Sequence, residues 1–91
     1  MTRIQQADAM RRRAWELVKA RGKGDEGLLE YTNVGLTIQW SFFSYTNRLI
    51  VRTKTAQVLV AEWGSDGKPD ILKYTPGLWE TRLKHLTRGA L

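Results

Sequence analysis

Cationic side chains interleaved with aromatic ones are the chemistry this chain offers most plainly. Arg48, Ile50 and Arg52 alternate along one short run, Lys54 follows, and Phe43 and Tyr45 lie just before it. A guanidinium suits a phosphate and a ring suits a stacked base, so Arg48, Arg52, Lys54 and Tyr45 are the expected contacts for an anionic ligand. Two other clusters add to them. Arg11-Arg12-Arg13 is the densest basic run, and Arg82, Lys84 and Arg88 follow Trp79 near the C-terminus. Three consecutive helical residues sweep about 200°, so Arg11 to Arg13 cannot all meet one ligand. Arg11 and Arg12 are therefore expected to help from the side, with Arg82 and Arg88. The chain holds 15 Lys and Arg against 9 Asp and Glu, a formal charge of +6, which biases it towards polyanions.

Catalytic chemistry is thinly supplied. With no cysteine there is no thiol nucleophile, no disulfide and no Cys-ligated metal. The single histidine, His85, has no serine in a Gly-x-Ser-x-Gly elbow to serve, and it is expected at the surface. Glu30 and Glu62 are one conceivable acid–base pair, with nothing in the spacing to favour them. Gly22-Lys23-Gly24 lacks the Gly-x4-Gly-Lys-Ser/Thr spacing of a phosphate loop. No metal site, cofactor or enzyme activity is expected.

The elements that must position these residues follow from hydrophobic period. From Val34 to Phe42 apolar residues occupy every second position, which reads as a half-buried strand over about 34–43. Strands are also expected at about 28–32, 48–53, 56–63 and 70–74, with Asp66-Gly67 turning a hairpin. Val58, Leu59, Val60 and Ala61 make both faces of the 56–63 strand apolar, so it is expected to be central and covered on both sides. The first helix is expected over about 3–21, with Thr2 as N-cap and Gly22 as the stop. Its apolar side carries Ile4, Ala7, Met10, Ala14, Leu17 and Val18, and Asp8–Arg12 and Arg12–Glu16 are i,i+4 pairs. The second helix is expected over about 76–88: Thr75-Pro76 reads as cap and first residue, Trp79, Leu83 and Leu86 form the buried stripe, Glu80 and Arg82 lie outside it, and Gly89 closes the helix. Gly22 to Gly27 reads as a flexible connector.

The expected fold is one α+β domain, 1–91: a small antiparallel meander of three to five strands flanked by N- and C-terminal helices. The expected function is non-enzymatic binding of nucleic acid or a phosphate-bearing nucleotide. The alternative is a compact inhibitor or adaptor that occupies another protein, with Trp63 and Trp79 as interface anchors. An uncovered sheet face or edge would favour a homodimer. No apolar run approaches the ~20 residues of a membrane span, and a cytoplasmic setting is expected.

Overall fold

A computed structural model describes residues 1–88. Its element order is α1 (Arg3–Arg21), β1 (Lys23–Asp25), β2 (Leu28–Asn33), β3 (Leu36–Phe43), β4 (Thr46–Arg52), β5 (Gln57–Trp63), β6 (Asp70–Tyr74) and α2 (Leu78–Thr87). The six strands form one antiparallel sheet in sequence order, β1-β2-β3-β4-β5-β6. The α+β meander between two helices is as expected, but with six strands. The additional strand is β1, cut from the supposed connector: Lys23, Gly24 and Asp25 pair with Glu30, Leu29 and Leu28. Three exposed polar and glycine residues carry no strand periodicity, so only the backbone pairing of an edge hairpin defines them.

Helix α1 has the expected bounds. Thr2 Oγ1 accepts from the Gln5 amide while the Gln5 side chain accepts from the Thr2 amide, a closed capping box. Gly22 ends the helix in an extended conformation, its N–H donating to the Val18 carbonyl. A Cβ at Gly22 would run into that same carbonyl oxygen, which is why the stop is glycine. Ala7, Met10, Ala14, Leu17 and Val18 pack into the core, but Ile4 is exposed because the first turn overhangs the sheet edge near β6. Asp8 pairs with Arg12 at 3.2 Å as expected; Glu16 turns instead to Lys19, also at 3.2 Å.

Both helices lie on the same side of the sheet. Leu36, Ile38, Leu49, Val51, Leu59 and Ala61, all buried, face α1 from β3, β4 and β5, and Trp79 and Leu83 of α2 join the same core. The expectation that β5 is central and covered on both faces is therefore corrected. It is fifth of six, and Val60 is shielded on the uncovered face by its cross-strand neighbours Ile50 and Lys73. Helix α2 rests on α1 and runs parallel to it. Gln6 bonds Glu80 and Arg13 bonds Thr87, a step of seven residues on each helix.

Two turns depart from the expected pattern. Val34 heads no strand: it sits with Gly35 in the tight β2–β3 turn at φ 32°, 77% exposed. Ser44 and Tyr45 form the β3–β4 turn, both at positive φ (51° and 62°), which lengthens β4 back to Thr46. Helix α2 also starts later than expected. Gly77 is its N-cap, and Thr75 instead donates its N–H to the Val58 carbonyl. Glu80, expected outside, is buried. Its carboxylate accepts from the Tyr74 hydroxyl at 2.9 Å, the Gly77 amide at 3.2 Å and Gln6 Nε2 at 3.2 Å. Gly89, the expected stop of α2, lies outside the described residues.

Candidate polyanion-binding surface

The residues expected to act together are spread over the molecule. Arg48 and Arg52 do share the uncovered sheet face, four residues and about 13 Å apart along β4. Tyr45 and Lys54 stand beyond opposite ends of that strand, itself about 20 Å long, too far apart to grip one small ligand. Carboxylates are interspersed on the same face: Arg48 pairs loosely with Glu62 at 3.7 Å, and Asp70 lies opposite Glu62 on β6. Glu30 holds Gln39 at 2.9 Å and sits three strands from Glu62, about 14 Å away, so these two do not form an acid–base pair.

The remaining expected sites have varied surroundings. Arg11 is 5% exposed, its guanidinium 4.5 Å over the Trp63 ring and 2.7 Å from Asp8, so it belongs to the core. Arg12 is exposed beside Asp8. Arg82 is half-buried and donates to Asn33 Oδ1 at 3.0 Å, tying α2 to the end of β2. Arg88 is exposed at the end of α2. Trp63 and Trp79, expected as interface anchors, are each 6% exposed and turned inward. Trp63 meets Trp15 edge-on at 5.2 Å, and Trp79 meets Tyr74 at 6.3 Å while its indole N–H donates to the Thr75 carbonyl. Trp15, Trp40 and Trp63 cluster beneath α1, the one helix that contacts β2 to β6, and their large rings fill width that small side chains would leave open.

Charge is divided unevenly between the two layers. Helices α1 and α2, with the capping Arg88, carry nine of the fifteen cations and three of the nine acids. The strands and their loops hold the other six of each. The whole net charge of +6 therefore resides in the helical layer, and the sheet is neutral. Within the helical layer the three acids are already engaged: Asp8 by Arg11 and Arg12, Glu16 by Lys19, and Glu80 by its buried donors. Among the described residues of this layer, Arg3, Arg13, Arg21, Arg82, Lys84 and Arg88 have no acidic partner; Arg13 and Lys84 meet where the helices lie side by side, and Arg88 follows Thr87 at the end of α2. Arg13 Nη1 donates to Thr87 Oγ1 at 3.0 Å, and a groove of about 340 Å³ runs between Gln6, Ala9, Met10, Arg13 and Lys84.

Arg13 and Lys84 are the residues sequence reasoning passed over. They are distant in the chain, and only the parallel packing of α1 and α2 makes them neighbours. Of the aromatics expected at a binding surface, Tyr45 is exposed as expected, whereas Trp63 and Trp79 are not. Phe43 and Tyr45, 82% and 85% exposed, crown the β3–β4 hairpin. Phe43 projects on the uncovered sheet face, about 7–8 Å diagonally from Arg48.

The described residues contain no group of three or more His, Cys, Asp or Glu placed to hold a metal ion, and no helix long and apolar enough to cross a membrane. Comparison with protein-family models, curated proteins and solved structures gave no match.

Proposed function

We propose that the protein is a non-enzymatic binding module for a polyanion, and that nucleic acid is the polyanion. The observation that carries this reading is the confinement of the entire +6 to the helical layer, with Arg13 and Lys84 lining one groove, Arg88 exposed next to the Thr87 that Arg13 reaches, and none of the three paired with an acid. Oriented unpaired cations on one face raise the local concentration of a polyanion and release its counterions on contact. The sheet cations are interspersed with an equal number of acids and would gain little from the same ligand. This moves the contact surface from Arg48, Arg52, Lys54 and Tyr45 to the helices, with Arg12 and Arg88 retained.

The test is an anisotropy titration of labelled oligonucleotides at about 50 and 200 mM salt. Affinity is expected to collapse as salt rises, and the triple variant Arg13→Ala/Lys84→Ala/Arg88→Ala is expected to flatten the log–log salt slope by about three. Absence of binding at the lower salt would rule nucleic acid out.

A second reading, a compact inhibitor or adaptor docking on another protein, is supported by the β3–β4 tip. Ser44 and Tyr45 hold left-handed backbone that asparagine and glycine adopt more cheaply, and the strain displays Phe43 and Tyr45 in solvent. Loss of a captured protein partner on Phe43→Ser/Tyr45→Ser, with oligonucleotide binding unchanged, would establish that role.

A further inference from the structure

We infer that the preferred ligand is double-helical B-form DNA and that α2 is the element that enters its major groove; this rests on the polyanion reading above. Helix α2 packs on α1 and leaves its outer side clear, so Leu78, Thr81, Lys84, His85 and Arg88 form one exposed arc. That arc holds no acid, because the only acid of the helix, Glu80, is turned inward and saturated by three donors. A helix about 10–12 Å across matches a groove about 12 Å wide, and its ten residues reach about 15 Å along it. Lys84 and Arg88 at the rim of the arc, with Arg13 beside them on α1, would meet the phosphates, while Thr81 and His85 face the base edges.

The distribution of rings argues against a single strand. Single-stranded ligands are held by stacking their bases on exposed aromatic side chains. Among the described residues the helical layer exposes no Phe, Tyr or Trp and only the small His85 imidazole: Trp79 is buried, and Trp15 is half-buried beneath the Lys19 ammonium at 3.6 Å. The exposed Phe and Tyr rings, Phe42, Phe43 and Tyr45, all belong to the β3–β4 hairpin, on the neutral sheet. Double-stranded RNA fits less well, because its major groove is too deep and narrow for a helix.

The experiment compares the full chain binding a short labelled DNA duplex, each of its strands alone, and the RNA duplex of the same sequence. The DNA duplex is expected to bind at least tenfold tighter than the others. It should also protect guanine N7, which lies in the major groove, from dimethyl sulfate. Thr81→Glu/His85→Glu, both at exposed positions, should abolish duplex binding while the circular dichroism spectrum is retained; Thr81→Ala/His85→Ala guards against an unfolded glutamate variant and should lose the N7 protection alone. Binding to the strands or to the RNA duplex as tight as or tighter than to the DNA duplex overturns the duplex assignment, and a guanine N7 as reactive as in free DNA overturns major-groove entry by α2; either leaves the polyanion reading intact. No binding to any of the three overturns both.

Discussion

Replacing Arg11 by alanine removes a guanidinium that lies 4.5 Å over the Trp63 ring and 2.7 Å from Asp8. A desolvated cation–π contact and a charged hydrogen bond are lost together, so Arg11→Ala should destabilise the fold by about 2–3 kcal/mol in urea denaturation. Arg12→Ala breaks only a solvent-exposed pair and should cost less than about 1 kcal/mol. Equal losses would show that burial adds nothing at Arg11. The two arginines are adjacent and chemically identical and were both expected beside the ligand; Arg11 does fall nearer the Ala7–Met10–Ala14 stripe on a helical wheel, so this difference was partly legible in the sequence. The burial of Glu80 was not, because its three donors come from Gln6, Tyr74 and Gly77, and the first is 74 residues away. Burial, with the hydrogen bond to Glu80, pushes the Tyr74 hydroxyl up to about 12. The folded state thus keeps its proton above pH 10, where the unfolded chain releases it. The stabilisation is complete below pH 10 and is lost as pH rises from 10 to about 12. Absorbance titration of tyrosinate should show a late component that Tyr74→Phe removes; a late component that survives in the variant, or none in the parent, would contradict the burial.

At the scale of elements, the two tight hairpins are where sequence and backbone disagree. Val34-Gly35 and Ser44-Tyr45 each occupy a two-residue turn with both residues at positive φ, the geometry that Asn-Gly fits best. Val34→Asn should therefore stabilise the protein by about 1 kcal/mol, since the valine side chain is exposed and its left-handed backbone is strained. Ser44→Asn/Tyr45→Gly should gain a similar amount. A loss of thermal stability in either variant would mean that the turns are not of this type. Helix α1 was readable to the residue because cap, period and stop agreed. Strand β3 began two residues late because the apolar alternation continued through Val34, which the turn had already claimed. Helix α2 was read as starting too early because Thr75-Pro76 has the composition of a cap, whereas the Thr75 amide is taken by the β5 backbone at Val58.

For the whole molecule, the separation of charge between layers sets the expected behaviour. Arg48→Ala/Arg52→Ala/Lys54→Ala removes as many cations as the helical triple variant but should leave oligonucleotide affinity within about threefold, because those residues stand among carboxylates on a neutral face. A loss as large as that of Arg13→Ala/Lys84→Ala/Arg88→Ala would return the contact surface to the sheet. The sequence by itself determined the α+β class, the meander, the first helix, the absence of thiol chemistry and the excess of positive charge, since these follow from composition and local period. Only the tertiary structure decided that both helices share one face of the sheet, that α1 and α2 run parallel, that Trp63 and Trp79 are buried, and that the charge gathers on the helical side. The physical reason is that periodicity specifies which side of each element is apolar, whereas which elements share that apolar interior depends on contacts between residues far apart in the chain.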